Sequence, residues 1–374
     1  MSPEPSPPQR RLRAYIETMP TGVHAFVMAT GIISVGMELV NQHLISLALW
    51  VIAAVGWLWL TTLVVVRAFV ATESVRRALK DPNQAFGFFT VIAATSVVGT
   101  RFAVGGILEV AIGLWIVALC LWAVAGYAIP WGILVRPLPK DERQRAMFTT
   151  PEGGGRFLSD YIDGTWFVWV VATQSVAVLG ATIQPHLDVF ETVVAAITVV
   201  AWSTGLGLYV MVGTGLVQRI FRWGLNPTDL TPSYWVVMGA LAISALASGR
   251  IMNMNSQTPV AAAAYSIASG VGVMLWGFTT WLVVGLLLMV VWKIWRRVAV
   301  KHYITPLWSM VFPMGVYSVA SMTMGDGVDA PRILWAGYDF IWVALAAWVL
   351  VTVSWVVHMV GRVKESRAQQ DVSA

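Results

Sequence analysis

Ten apolar runs, separated by loops that alternate between basic and nearly bare of Lys and Arg, constrain this chain more than any other feature. The runs lie at about 19–39, 44–66, 85–104, 107–135, 164–184, 190–217, 233–252, 260–292, 304–325 and 335–358. A helix of roughly 20 residues spans the hydrocarbon core of a bilayer. In lipid only a helix satisfies every backbone N–H and C=O within one segment, so each run is expected to be a transmembrane helix. Of the 24 Lys and Arg residues, 21 fall in the tails and alternate loops of one side, and only Arg101, Arg250 and Arg332 fall on the other. The positive-inside rule then predicts a multi-pass protein of the cytoplasmic (inner) membrane with both termini in the cytoplasm.

Composition agrees with this reading and removes others. With 57% hydrophobic and 11% charged residues and a mean hydropathy of +0.72, the chain cannot offer an ordinary polar surface to water. Its net charge of +5 sits in short loops beside apolar runs. Topology and anionic lipid headgroups account for it, and no nucleic-acid partner is expected. The single cysteine, Cys120, precludes an intrachain disulfide and a Cys-rich metal site.

No HExxH, CxxC, GxSxG or Walker pattern occurs, and the five histidines are scattered, so neither an enzyme nor a metal or cofactor is expected. A membrane-embedded enzyme or sensor is a rival class that lacks paired catalytic groups. Residues 1–17 read as a flexible cytoplasmic tail, 18–359 as the membrane domain and 360–374 as a second cytoplasmic tail. The Pro- and Gly-containing interval 136–163 reads as a loop.

The runs fall into two classes. Even-numbered ones, such as LALWVIAAVGWLWLTTLVVV, are rich in Leu, Val and Trp and suit lipid. Odd-numbered ones, such as FVMATGIISVGM and FFTVIAATSVVGT, carry Gly, Ser and Thr, which permit close helix contact or line a pore. Taking Thr30, Thr95, Thr173, Ser244 and Ser318 as register marks, the intervals are 65, 78, 71 and 74 residues, each about two crossings plus loops. The expected architecture is all-α, with ten transmembrane helices forming five helical-hairpin pseudo-repeats. The odd helix of each faces a central pore, with Thr30, Ser34, Thr95, Thr173, Gln174, Ser244 and Ser318 as candidate lining.

The central odd-run stretches contain no Asp or Glu, so the acidic ring of a cation pathway is missing. Arg101 and Arg250 stand at the external ends of the third and seventh runs. There they would draw anions to a pore mouth, pair with Glu38 or Asp326, or snorkel to the interface. His24, inside the first run, is a possible proton or polar site, or a neutral hydrogen-bonding partner. Pro313 would bend the ninth run, and the ring of Phe312 beside it would close a cavity or simply pack.

Several of these residues form a pattern. Met19-Pro20 with Phe26-Val27-Met28-Ala29-Thr30-Gly31-Ile32-Ile33-Ser34, Gly99-Thr100-Arg101, Gly164-Thr165-Trp166-Phe167, Val171-Ala172-Thr173-Gln174-Ser175-Val176-Ala177, and Trp308 with Phe312-Pro313-Met314 resemble motifs of the tellurite-resistance/dicarboxylate transporter family. That family includes bacterial TehA, fungal malate permeases, sulfite pumps and the slow anion channels of plant guard cells. The resemblance implies ten helices in five hairpins, a pore lined by the odd helices, a homotrimer, and a Phe312 that corresponds to the aromatic occluding the pore. Two features depart from the pattern: His24 stands where an aromatic or small residue is expected, and the long regulatory tails of the plant channels are missing.

The function expected is channel-like passage of small inorganic or carboxylate anions. The alternative is a proton-coupled C4-dicarboxylate or sulfite carrier, with His24 or Glu38 handling the proton.

Overall fold

The structure, a computed structural model, describes residues 16–135, 161–298 and 303–373. Among these there are helices and no strands. The arginines of the N-terminal tail, the basic cluster in 136–160 and Lys301 lie outside the described residues. Ten long helices and one short one follow in order: α1 (Ala25–Leu39), α2 (His43–Val70), α3 (Thr72–Lys80), α4 (Phe89–Val104), α5 (Leu108–Leu134), α6 (Phe167–Ile183), α7 (Glu191–Trp223), α8 (Trp235–Met252), α9 (Pro259–Trp295), α10 (Trp308–Gly327) and α11 (Pro331–Ser373). Eight are long and apolar enough to cross a bilayer. The two long helices outside that set are α1, which is apolar but shorter, and α10.

The helices pack in two concentric layers. α1, α4, α6, α8 and α10 form a closed inner ring in which each contacts the next and α10 contacts α1. Each is paired with the outer helix that follows it in sequence, giving the hairpins α1/α2, α4/α5, α6/α7, α8/α9 and α10/α11. Burial follows the layers. In the most apolar stretch of each span, 72–89% of residues are buried in the spans of α4, α6 and α8, against 11–33% in α2, α5, α7, α9 and α11. Large side chains such as Trp59, Tyr127, Trp281 and Leu350 are left exposed on the outer layer. Lipid, which rewards Leu and Trp as much as a protein core does, is the solvent this surface fits.

The tails differ from expectation. α11 continues through the polar end to Ser373, because Arg, Lys, Glu, Gln and Ala there are strong helix formers. Residues 16 and 17, assigned to a flexible tail, are tied down. Ile16 is buried, and the Glu17 carbonyl accepts from Arg67 Nη2 at 3.3 Å and from Ser74 Oγ at 2.8 Å. Arg67 also reaches the Met19 carbonyl at 2.6 Å, so a basic-loop residue serves here as a latch.

Four inner helices begin with a 3₁₀ turn, at Ala85–Phe88, Gly164–Trp166, Pro232–Tyr234 and Thr305–Leu307. These turns touch one another in sequence order. At Gly164 the approach is so close that a Cβ would collide with the backbone of Ser233, so only glycine fits. The inner helices therefore start at one level, on the side of the basic loops.

Candidate functional site

Inside the inner ring lie two spaces at successive levels. At the basic end is a vestibule of about 300 Å³, to which all five inner segments contribute: Thr21 and Ala25, Gln84 and Thr90, Thr165 and Val168, Ser233 and Val236, Thr305 and Ser309. Its walls are the N-terminal ends of the ring helices, whose first N–H groups bond back to carbonyls of the turn before them, as Ala25 does to Gly22 and Phe89 to Phe86. Helix dipoles place partial positive charge at such ends, so five converging ones favour an anion. No Asp or Glu lines this space.

Beyond it the path narrows to a neck of about 10 Å³, roughly the room one water needs. One level holds Ile32, Val97, Ser175 and Ile243, and the next Val35, Thr100, Val178 and Leu246, with Ser96 beside them. Residues seven apart share a helix face, and Ala25/Ile32, Thr90/Val97, Val168/Ser175 and Val236/Ile243 are such pairs. The vestibule and neck are thus successive levels of one lining.

Phe312 is among the lining residues of neither space, and its place along α10 falls between their levels. It lies three residues beyond Ser309, which lines the vestibule, and is 2% exposed. A Cβ at Gly239 would come 2.8 Å from Pro313 Cγ, so α8 and α10 are in close contact there. Gly239 is one turn past Val236 of the vestibule and one turn before Ile243 of the neck. α10 runs unbroken from Trp308 to Gly327 with Pro313 inside it. The missing N–H of Pro313 frees the Ser309 carbonyl, four residues back, at the vestibule wall.

Most hydroxyls proposed as lining are turned away from this path. Thr30, Thr95 and Thr173 each donate to the carbonyl four residues earlier and accept an indole N–H from an outer helix of the preceding hairpin: Trp348, Trp57 and Trp122, each at 2.9 Å. The set is completed by Trp202 to Ser248 at 3.1 Å and Trp276 to Ser321 at 2.9 Å, so Ser248 and Ser321 take the roles assigned to Ser244 and Ser318. Ser244 donates to the Ala240 carbonyl, and Ser318 donates to the Gly337 carbonyl on α11. Ser34 is bonded to Ser46 on α2, and Gln174 donates to the Trp202 carbonyl on α7. The physical reason is periodicity: Thr30 is two residues, about 200° of helix, beyond Met28, which shares the face of Ala25 and Ile32. A usable signal was present, because each inner hydroxyl is followed 27–29 residues later by the outer-helix tryptophan of its own hairpin.

The two arginines part company. Arg101 is 7% exposed and held through Nε and Nη2: its Nη2 lies 2.8 Å from Glu38 Oε2, its Nε 3.2 Å from both Ser34 Oγ and Ser46 Oγ, and its guanidinium lies over Trp50. Glu38 is bonded in turn to His43 at 3.0 Å. Arg250 makes no side-chain hydrogen bond or ion pair among the described residues, and its Nε is sealed from solvent without a partner. It follows Leu246 of the neck by four residues, on the same face. His24 is fully buried with Nε2 3.2 Å from Thr61 Oγ1 of α2, a helix–helix contact.

Ser96, Thr100 and Ser175 of the neck, and the vestibule hydroxyls, were not singled out from sequence. The pattern of spacing three and four that runs from Thr90 through Ala93 and Val97 is the signal that leads to Thr100.

Comparison with known proteins places this architecture. Residues 18–356 match the family model described as SLAC1, voltage-dependent anion channel. Two uncharacterized membrane proteins of Mycobacterium tuberculosis, from strains CDC 1551 and H37Rv, are each 38% identical over 160 residues, 42% of this chain and 80% of theirs. An uncharacterized transporter of Methanocaldococcus jannaschii is 20% identical over 203 residues, 52% of this chain and 55% of that protein. With the match spanning nearly every helix, the chain is a multi-pass membrane protein that belongs to the SLAC1 voltage-dependent anion channel family.

Proposed function

We propose that ten helices cross the membrane as five hairpins and carry small anions along the axis of the inner ring, with both termini on the cytoplasmic side of the cell membrane. The observation that carries this reading is the axial path. Five helix N-termini converge on a vestibule without carboxylates, and the apolar neck beyond it ends near an unpaired arginine. Membership of an anion channel family supports the substrate class. A cation would meet the wrong ends of five dipoles and no acidic group to replace its water.

In this mechanism the anion collects in the vestibule, and the Phe312 ring closes the way to the neck. Gly239 and Pro313 hold the ring at that level, and passage requires it to swing aside. The residues that a proton-coupled carrier would use support it less. His24 lies at the α1/α2 contact and Glu38 is held by Arg101 and His43, both off the path. The homotrimer implied by the family resemblance is part of the proposal.

The test is anion flux from liposomes loaded with chloride, nitrate, sulfite or malate. Phe312→Ala is expected to raise the flux of at least one of them tenfold or more over wild type, with Phe312→Leu in between. A folded, reconstituted Phe312→Ala protein with wild-type flux for all four would remove the gate.

A further inference from the structure

The neck holds three hydroxyls, and they are not equivalent. Thr100 Oγ1 donates its proton to the Ser96 carbonyl at 2.9 Å, and Ser175 Oγ donates to the Val171 carbonyl at 2.7 Å. With their protons committed to their own helices, both can present only oxygen lone pairs to the axis, and lone pairs repel an anion. Ser96 differs. Ser96 is 1% exposed and lines the neck, and its Oγ has no hydrogen-bond partner among the described residues. A buried hydroxyl left without a partner costs stability. The other neck side chains, among them Ile32, Val35, Val178, Ile243 and Leu246, have no proton to offer.

Resting on the anion pathway proposed above, we propose that Ser96 is the anion-coordinating residue of the neck: its Oγ–H donates to an ion stripped of water between the vestibule and Arg250. In an apolar passage a single donor discriminates by acceptor strength. A small, strongly accepting ion such as chloride gains more from the O–H than a large, diffuse one such as iodide. Ser96 is therefore a specificity-determining residue.

Chloride and iodide are the probes, and liposome flux in wild-type and Phe312→Ala backgrounds is the measurement, with thermal melting confirming that each variant folds. In the Phe312→Ala background, Ser96→Ala is expected to cut chloride flux about tenfold, equal to about 1.4 kcal/mol, and iodide flux less than threefold. Ser96→Thr, which keeps the hydroxyl, restores chloride flux and the chloride-to-iodide ratio. If Phe312→Ala conducts and Ser96→Ala leaves the ratio unchanged, Ser96 is not the coordinating residue while the anion pathway stands. If neither wild type nor Phe312→Ala passes any anion, the pathway itself is wrong and the role of Ser96 falls with it.

Discussion

The far ends of α4 and α8 look alike in sequence, Gly99-Thr100-Arg101 and Ser248-Gly249-Arg250, and they are built for opposite purposes. At the first, a guanidinium is packed among Glu38, Ser34, Ser46 and Trp50 and ties three helices together. At the second, an equivalent, half-buried group has no side-chain partner among the described residues and lies four residues beyond Leu246 of the neck. A buried charge with a complete set of partners is a structural part, and breaking it is costly. A half-buried one without partners adds little to the fold, and in the pathway proposed above it is open to a ligand. What separates the two ends is Glu38, on a different helix, which no reading of α4 or α8 alone would supply.

The largest expected effect tests the first end. Arg101→Ala takes the guanidinium away from Glu38, which keeps His43, and from Ser34 and Ser46, which keep each other, and should lower stability by about 2–3 kcal/mol, below the roughly 3–5 kcal/mol of a broken fully buried pair because Glu38 is partly exposed. Thermal melting in detergent checks this, and Arg101→Ala combined with Glu38→Gln should recover part of the loss. If Arg101→Ala melts like wild type, the contrast between the two ends disappears.

Arg250→Met should behave in the opposite way. Removing an unpaired charge is expected to leave the melting temperature unchanged or raise it, while anion flux in the Phe312→Ala background falls about fivefold, on the order of 1 kcal/mol. A variant that loses stability without losing flux would return Arg250 to the same class as Arg101. The smallest effect concerns salt. Attraction by a lone charge is screened as the Debye length shrinks from about 10 Å at 0.1 M to about 3 Å at 1 M. Flux normalised to ion concentration should therefore decline more steeply with ionic strength in the Arg250 protein than in Arg250→Met.

Much of the fold was legible because a bilayer leaves few choices. Run lengths located the helices, and the Gly, Ser and Thr content of alternate runs separated the inner layer from the outer one. The resemblance carried by Phe312-Pro313 and the α1 and α6 motifs pointed to the family that the full-length match shows. Direction around each helix was harder. A hydroxyl suits a lumen and a helix contact equally well, so composition could not say that Thr30, Thr95 and Thr173 look outward to tryptophans while Ser96, next to Thr95, looks in. The two last hairpins misled further. Their inner helices receive the tryptophans of the preceding hairpins at Ser248 and Ser321, four and three residues beyond the marks chosen by motif similarity. The end of α11 was missed for another reason, since polar residues that signal the limit of the membrane do not signal the limit of a helix.

The five tryptophan contacts also fix when this wall can be finished. Each reaches forward to the next hairpin except the last, where Trp348 returns across 318 positions to Thr30. Each bond contributes little, about 0.6 kcal/mol for a polar contact within a membrane. Their order matters more than their strength. As the chain emerges from synthesis, four contacts can form with the hairpin that follows, but the seam between α10, α11 and α1 stays open until the final pair of helices is inserted. An incomplete chain is thus an open arc with its lining against lipid, and the anion route proposed above would be enclosed only once the last hairpin has met the first.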